Sequence, residues 1–418
     1  MTEAISDLPL SGVKVVELGH IVAGPSAGLM LADLGADVVK IEQPGVGDAA
    51  RNMPNHGSTF FFLNRNKRSL ALDLKSKQGV EVFERLILNA DVVLDNFSPG
   101  QLDRWGIGFE WAEKIRPGII YCSINGFLDG PYKSRPFLDE LAQMAGGLAF
   151  MTGPAGQPLR AGASIVDIGA ATYAVIGILA ALMRKGASGK GGVVTAGLFE
   201  TAVFWVGQHI SRAQITGKVP EPLPVRAMGG QMGWGVYQIF QTRDSRQIFI
   251  ALTSNRHWIR FCKALGLTDW IADPELETNS QRVAAHARII PRLAELIAGM
   301  DFDDIAALLD GENLPYAPVN NPSDLLSDAH LNQGGHWLNV NPTGEMELKM
   351  PMMPVVIEGQ SHRVVRQPPR LGEHTDEILE ELGYTTSEIR SMKDDGLVQA
   401  EGGLLQVEKG SRSDEFSR

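Results

Sequence analysis

Short β-branched segments alternate with helical patterns through the N-terminal third of the chain, and this alternation restricts the possible folds more than any other feature. The predicted strands cover residues 13–18, 37–41, 91–94 and 118–123. The predicted helices cover residues 26–34, 78–88 and 111–115. "GADVVK" (35–40) and "NADVVL" (89–94) repeat one joint between a helix end and a strand. Strands that alternate with helices form βαβ units, so we predict an α/β fold with a doubly wound parallel sheet.

Three loops follow the carboxyl ends of predicted strands. They cover residues 19–25 (GHIVAGP), 42–48 (EQPGVGD) and 95–100 (DNFSPG), and all three are rich in glycine and proline. Ligands of open parallel sheets bind beyond the carboxyl ends of the strands, so these loops are candidates for a binding site. Each loop taken alone is also explained by turn formation, in which glycine and proline are common.

The sequence changes character after residue 205 and again near residue 331. Strands over 236–242 and 247–252, followed by helices, predict a smaller domain, and a proline-rich return leads to a helix over 375–382. The predicted organisation is a large domain over 1–205, a linker over 206–235, a small domain over 236–330, a return segment over 331–398 and a disordered tail over 399–418.

Composition and charge exclude several classes of protein. The chain has 418 residues, of which 44% are hydrophobic and 21% charged, so we expect a folded protein with a substantial core. The formal net charge of -11 argues against a nucleic-acid partner. Cys122 and Cys262 form no metal or redox spacing, and HExxH is absent, so we predict no metal site and a reducing, cytoplasmic location. The opening MTEAISDLPL does not resemble a secretory signal.

Residues 162–183 (GASIVDIGAATYAVIGILAALM) form a long apolar run that contains one ionisable acid, Asp167. The glycines, Ser164 and Thr172 dilute the run, and no second span accompanies it, so we interpret it as a core helix and expect no membrane segment. Asp167 precedes the helical pattern and is therefore either a helix N-cap or a carboxylate that the helix dipole keeps ionised as a nucleophile.

The densest basic cluster of the first domain is NRNKRS (64–69), which precedes an apparent strand, LALDL (70–74). One interpretation is a solvated basic turn. The other is a phosphate clamp, in which arginine binds in bidentate fashion and lysine acts as a point charge. Arg104, after the third loop, is a further candidate for an anion contact.

Taken in order, these stretches resemble the class III coenzyme A transferases, the CaiB/BaiF family. The resemblance rests on "LSGVKVVELGHIVAGPSAGLMLADLGADVVKIEQPGVGD", "LNRNKRSLALDL", "DVVLDNFSPGQLDRWGIGFE", "GASIVDIGAATYAVIGILAALMRKGASGKGG" and "LGEHTDEILEELGY", and it extends to about residue 396. It implies that Asp167 is the catalytic aspartate, which forms an acyl anhydride and then an aspartyl-CoA thioester.

The resemblance also implies which residues contact coenzyme A. They are His20, Ile21, Val22 and Ala23 in the first loop, Leu63, Asn64, Lys67 and Arg68 around the basic cluster, and Asn96, Phe97 and Arg104 after the later strand. Gly229, Gly230 and Gly233 are the candidates for a loop that covers the anhydride. Two departures bear on acyl specificity: Gln43 stands where some relatives have arginine, and Val22 stands where they have glutamine.

The architecture that the resemblance implies is a large Rossmann-like domain built from both chain ends, so that 331–398 completes it. A smaller α+β domain is inserted, and two subunits interlock as a homodimer. The implied substrates are an acyl-CoA and a small carboxylic acid, with coenzyme A thioesters as substrates and no prosthetic group. A succinyl-CoA-type donor and a dicarboxylate fit this expectation. Arg226 and Arg135 have two interpretations: one of them meets the second carboxylate, or both are solvated surface residues.

Two other functions compete with CoA transfer. An α-methylacyl-CoA racemase has a similar sequence but requires an acid and a base on opposite faces of the α-carbon. The racemases carry a His-Asp pair where this chain has Leu138 before Asp139, and leucine cannot transfer a proton, so the transferase is favoured. A non-catalytic CoA-binding protein has no need to retain the acid at position 167.

Overall fold

The structure is a computed structural model that describes residues 7–54, 56–222 and 233–400. The chain divides into two compact units. The larger comprises the chain up to Gly146, Gly162–Trp205 and the chain from Gly335 onward, and the smaller comprises Gly147–Ala161 and Val206–Gly334. Residues 147–161 therefore group with the smaller unit, although they were predicted to belong to the large domain.

The strands, in chain order, are β1 Lys14–Glu17, β2 Asp37–Glu42, β3 Lys67–Leu72, β4 Val92–Asp95, β5 Ile120–Asn125, β6 Gly192–Gly197, β7 Val236–Gln241, β8 Gln247–Leu252, β9 Tyr316–Pro318, β10 Trp337–Val340, β11 Leu348–Pro351 and β12 Val398–Gln399. Of these, β1 to β6 and β10 to β12 lie in the larger unit, and β7 to β9 lie in the smaller one.

The helices are α1 Ala23–Asp33, α2 Ser58–Leu63, α3 Lys77–Leu88, α4 Gln101–Arg104, α5 Phe109–Ile115, α6 Asp139–Ala145, α7 Leu148–Thr152, α8 Ile165–Ser188, α9 Leu198–Trp205, α10 Gly207–Thr216, α11 Asn255–Ala264, α12 Thr268–Ala272, α13 Asn279–Ala284, α14 His286–Ala298, α15 Phe302–Gly311, α16 Ala329–Gln333, α17 Thr375–Glu381 and α18 Thr386–Asp394. Short 3₁₀ turns cover Ala49–Asn52, Pro274–Leu276 and Asp324–Ser327.

A seven-stranded sheet forms the centre of the larger unit, in the order β12-β3-β2-β1-β4-β5-β6. Strands β1 to β6 are parallel, and β12 adds to β3 as an antiparallel edge. All residues of β3 and β4 are buried, as expected of strands whose two faces are both covered. The predicted α/β fold with a mostly parallel sheet is confirmed.

Strand β3 begins three residues before the predicted strand and includes the end of the basic cluster. Lys67, Arg68 and Ser69 pair with β2 in parallel register and are buried. Charged side chains are tolerated inside a sheet only when opposite charges pair with them, and a sequence pattern does not identify such partners. The predicted strand at 70–74 therefore begins three residues and ends two residues too late. Helix α18 and strand β12 were not predicted at all.

Helix α8 contains the apolar run and packs against α1, α9, β5 and β6. A Cβ atom at Gly169 would lie 2.3 Å from the Trp205 ring, so the small residue permits close packing of α8 on α9. Among the described residues, α8 is the one helix that is long and apolar enough to cross a membrane. Its contacts with the sheet and with α1 and α9 account for part of that apolar character, while Ile176 and Met183 stay exposed.

The smaller unit has a separate core. Strands β7, β8 and β9 form an antiparallel sheet, and α11, α14 and α15 cover it with the buried side chains of Trp258, Phe261, Leu293 and Ile305. The β7–β8 connection is a tight turn at which Ser245 has φ of 62°. The predicted pair of strands and the following helices are therefore present, and the unit is α+β in character.

Asn66 ties the C-terminal return to the sheet of the larger unit. Its Oδ1 atom accepts hydrogen bonds from the N–H groups of Val365 (2.7 Å) and Arg366 (3.2 Å), and its Nδ2 donates to the Arg363 carbonyl (3.0 Å). Asn66 also has φ of 65°, a left-handed conformation that asparagine tolerates better than most residues. One residue before β3 thus joins segments about three hundred positions apart.

We predict that Asn66→Ala lowers the free energy of unfolding of the larger unit by about 2–4 kcal/mol, because it removes buried hydrogen bonds and places alanine at positive φ. Asn66→Gly loses the same bonds without the backbone strain and should be about 1 kcal/mol less damaging. Denaturant unfolding followed by circular dichroism measures both. If both variants unfold at the denaturant midpoint of the wild type, the hydrogen bonds of Asn66 contribute nothing to the free energy of unfolding.

Candidate active site

A cavity of about 1090 Å³ lies at the carboxyl ends of the parallel strands, within the larger unit. Its walls include residues that follow each of β1 to β6, namely 18–23, 41–43, 47–49, 72–75, 96–99, 124–126 and 198. The three loops that the strand-end rule selected all contribute residues to this cavity. Five spacings of about 4.8 Å separate six neighbouring strands, so the cleft spans about 24 Å, which suits an elongated ligand.

Asp167 lies in the first turn of α8 and lines the cavity near its β5–β6 end. It is not the N-cap, since Ser164 occupies that position. The buried carboxylate of Asp139 takes the capping role, because its Oδ2 atom accepts hydrogen bonds from the N–H groups of Val166 (2.8 Å) and Asp167 (3.1 Å). Gln143 donates to the other oxygen of Asp139 at 2.5 Å. The helix end is satisfied, and the Asp167 carboxyl group is available to the cavity.

The pKa of Asp167 is raised to about 7, first by burial and then by the neighbouring acids Asp139 and Glu140. This direction is the opposite of the one expected from the helix dipole. The reason is that burial, the largest cause, outweighs the dipole, and that a second carboxylate already occupies the N-terminal N–H groups of α8. Asp167 therefore gains and loses its proton near neutral pH.

The first predicted loop forms one wall of the cavity. His20 and Asn96 join reciprocally, since the His20 N–H donates to Asn96 Oδ1 (2.8 Å) and Asn96 Nδ2 donates to the His20 carbonyl (3.1 Å). The His20 ring packs on Phe97 at 5.3 Å, and burial lowers its pKa. Val22 precedes α1 and Ala23 begins it. His20, Ile21, Val22, Ala23, Asn96 and Phe97 all line the cavity.

The basic cluster lies elsewhere. Lys67 is fully buried and contacts Glu17 at 2.7 Å, and Arg68 contacts Asp37 at 2.6 Å and Glu381 at 2.9 Å. Leu63 and Asn64 are buried beside them, and none of the four lines the cavity. Internal carboxylates already neutralise these cations, so the phosphate-clamp prediction for the cluster is wrong. Arg104 is exposed and does not line the cavity. It donates a hydrogen bond to Gln101, which does line it.

The loop after β3 also lines the cavity and was not among the three predicted loops. Residues 72–75 line the cavity, and Lys75 is exposed there. The strand-end rule would have found this loop if β3 had been predicted to end at Leu72. Among the described residues, Lys75 and Arg135 are the lysine and arginine side chains that line the cavity. Arg135, which stacks over Tyr132 at 3.9 Å, follows β5, whereas Lys75 follows β3. Gln43 also lines the cavity.

The glycine-loop prediction falls largely outside the described residues. Gly229 and Gly230 are not described, and neither is Arg226. Gly233 belongs to the smaller unit, where its carbonyl accepts a hydrogen bond from Asn279 (3.1 Å). Within the described ranges no group of three or more His, Cys, Asp and Glu residues has the arrangement of a metal site, and both cysteines are buried free thiols.

Comparison with known proteins places this geometry in context. The model of CoA-transferase family III matches residues 10–375. Succinyl-CoA:glutarate CoA-transferase of Mus musculus is 32% identical over 400 residues, which cover 94% of this chain and 90% of the relative. Formyl-CoA:oxalate CoA-transferase of Escherichia coli O157:H7 is 32% identical over 410 residues, covering 92% and 98%. A CaiB/BaiF family protein from Brucella suis superimposes with a TM-score of 0.80 at 32% identity, covering 90% of this chain and 99% of that structure.

We predict that Asp167→Asn is more stable than the wild type by on the order of 2 kcal/mol at pH 8. The folded-state pKa of Asp167 lies near 7 and the unfolded value near 4, so the wild type loses stability as pH rises through this interval and the variant does not. Urea unfolding at pH 4 and pH 8 measures the difference. Asp129→Asn, at a side chain that is 88% exposed, is the control. Equal stability of Asp167→Asn and the wild type at pH 8 would contradict the raised pKa.

Proposed function

The chain belongs to CoA-transferase family III, and from this premise we propose that it transfers coenzyme A from an acyl-CoA donor to a free carboxylic acid with Asp167 as the nucleophile. The observation that carries the proposal is a half-buried carboxyl group in an elongated cavity, on a helix whose N-terminus a second acid already caps. Such a group is available for covalent chemistry because it is not needed for capping.

The proposed reaction has four balanced steps. Asp167 attacks the donor thioester carbonyl, which gives an acyl-aspartyl anhydride and releases the CoA thiolate. The thiolate attacks the aspartyl carbonyl, which forms an aspartyl-CoA thioester and releases the donor acid. The acceptor carboxylate attacks this thioester, which forms a second anhydride and again releases the thiolate. The thiolate then attacks the acceptor's acyl carbonyl, which yields the new thioester and restores the Asp167 carboxylate.

The surroundings of Asp167 support this chemistry. Leu138, Ile124 and Leu198 line the same cavity, and their apolar side chains limit the water that would hydrolyse an anhydride. The first step needs the ionised carboxylate, so the reaction should slow as pH falls below about 7, where the pKa of Asp167 lies. A carboxylate of raised pKa is also a stronger base than an ordinary aspartate.

The length of the cleft suggests an orientation for coenzyme A. Asp167 lies at the β5–β6 end, so the thioester belongs there, and Lys75 at the β3 end is the natural partner for phosphate. The pantetheine arm then passes His20, Ile21, Val22, Ala23, Asn96 and Phe97, which line the intervening wall. A covering role for Gly229, Gly230 and Gly233 stays a prediction.

The features of the cavity favour transfer over racemisation. Leu138, which precedes Asp139, lies at the cavity wall with its side chain 52% exposed, at the position where a racemase carries histidine. A leucine there cannot exchange a proton with the α-carbon. Transfer is therefore the proposed reaction, and the experiment below distinguishes it from racemisation.

We also propose that the protein forms a homodimer in the cytoplasm. Ile176 and Met183 on α8 and Phe204 on α9 are 55%, 78% and 71% exposed, which is unusual for large apolar side chains and is typical of surfaces that meet a partner. The two buried free thiols are consistent with a reducing compartment.

We predict that the purified protein converts free carboxylic acids into new CoA esters when mixed with succinyl-CoA, and that Asp167→Ala abolishes this conversion. Mass spectrometry of the CoA pool in heavy water measures it, with 2-methylacyl-CoA and a panel of mono- and dicarboxylic acids included. Asp303→Asn, at a surface acid of the smaller unit, is the active control. Unchanged esters with deuterium at the α-carbon would identify a racemase instead. If neither new esters nor deuterium incorporation is detected, both functions are contradicted for these substrates.

The relatives' names mention succinyl-CoA, glutarate and oxalate, and we propose a dicarboxylate acceptor for this chain. Arg135 supports the proposal, because it lines the cavity four residues before Asp139, which caps the helix of Asp167. Its guanidinium group is the cavity cation placed after β5, on the side of Asp167, and it suits a second carboxylate.

We predict that Arg135→Gln raises the KM for dicarboxylic acids by on the order of tenfold and leaves the KM for monocarboxylic acids of similar length unchanged. Steady-state kinetics with paired acids at saturating donor test this. Lys133→Gln on the same loop is the matched control, since Lys133 pairs with Asp129 and does not line the cavity. An equal effect on both classes of acid would exclude recognition of a second carboxylate.

A further inference from the structure

Four buried charged side chains form one network behind the first wall of the cavity, and one of them, Asp48, also borders the cavity. The two oxygens of Glu17 contact Lys40 at 3.0 Å and Lys67 at 2.7 Å, and Lys40 contacts Asp48 at 2.9 Å. All four side chains are 0–1% exposed. Two carboxylates and two ammonium groups balance, so the network is neutral as a whole. Burial lowers the pKa of Lys67 to about 8 despite Glu17, whereas Lys40 and backbone N–H groups outweigh burial and hold the pKa of Asp48 at about 2.

Three of the four residues, Lys40, Lys67 and Asp48, hold the backbone of the segment 19–25 at one point each. Lys40 Nζ donates to the Gly19 carbonyl (2.6 Å), and Lys67 Nζ donates to the Pro25 carbonyl (2.9 Å). Between them, the Ile21 N–H donates to Asp48 Oδ1 at 3.0 Å. The network therefore fixes the start, the middle and the end of the wall that carries His20, Ile21, Val22 and Ala23.

Ile21 is the strained point of this segment. Its φ of 62° lies in the left-handed region, which is a true outlier for a β-branched residue and costs about 1–3 kcal/mol. Such a conformation persists only where the surroundings impose it. The Asp48 carboxylate on one side and the His20–Asn96 pair on the other are the contacts that do so. Helix α1 is pressed close to the network, since a Cβ atom on Gly28 would lie 1.8 Å from Glu17 Oε2.

We propose that Asp48 is a positioning residue, which acts through the Ile21 N–H to hold the wall 19–23 in the shape that aligns the acyl-CoA. This inference rests on the proposed function for its kinetic part only. A strained backbone that a charged network imposes at a ligand-binding wall is an observation of the kind that indicates function.

The test compares Asp48→Asn with Asp33→Asn. Asp33 is equally buried in the larger unit and pairs with Arg65 at 2.6 Å, but it lies at the far end of α1 and does not line the cavity. Both variants leave a buried cation short of a partner, so both should lose stability. Asparagine has one acceptor oxygen for the Lys40 ammonium group and the Ile21 N–H, which the two oxygens of Asp48 satisfy separately. Only Asp48→Asn should therefore accelerate amide hydrogen exchange in the peptide spanning residues 18–25, measured by mass spectrometry under conditions where each variant is folded.

In the same preparations, kcat per folded molecule should fall on the order of tenfold in Asp48→Asn and stay at the wild-type value in Asp33→Asn. Ile21→Gly serves if Asp48→Asn does not fold, because glycine adopts positive φ without strain and should loosen the segment with no change in buried charge. Unchanged exchange in residues 18–25, or faster exchange with an unchanged kcat, overturns the proposal. Exchange is measured without substrate, so a failure of CoA transfer in the wild type would be recognised separately.

Discussion

The larger unit depends on the pairing of charges that its sheet buries. Strands β1, β2 and β3 each place a charged side chain in the interior: Glu17, Lys40 and Lys67. An isolated charge in such a place would cost several kcal/mol, so each of these strands requires its neighbours in register. The requirement reaches beyond the sheet, because Asp48 and the carbonyls of the following loop complete the set. Strand order and cavity wall are thus joined by one network.

Two acids, Asp139 and Asp167, lie together at the β5–β6 end of the cavity. Asp139 satisfies the N-terminus of α8 from outside that helix, which leaves Asp167 in the same turn without a capping role. Burial and, after it, the nearby acids Asp139 and Glu140 raise the pKa of Asp167. Asp139 caps the helix, and in the proposed mechanism Asp167 supplies the chemistry.

Sequence reasoning succeeded where the signal is local. Alternating segments identified the parallel sheet, and the strand-end rule led to the loops that contain His20 and Asn96. It failed where a residue's role depends on a distant partner. Lys67 and Arg68 are residue types that bind anions. The carboxylates of Glu17, Asp37 and Glu381 already form ion pairs with them. Lys75, which does reach the cavity, was missed because the burial of charges in β3 shifted the end of that strand.

The sequence by itself determined the α/β class, the family resemblance and the identity of the candidate nucleophile, because periodicity and motif order are properties of neighbouring residues. Tertiary structure alone decided which cations are free to meet a ligand, which acid caps α8 and where the pKa of Asp167 lies. Those properties arise from burial and from distances between residues far apart in the chain. Electrostatic energy depends on such distances and on exclusion of water, and neither is encoded in local order.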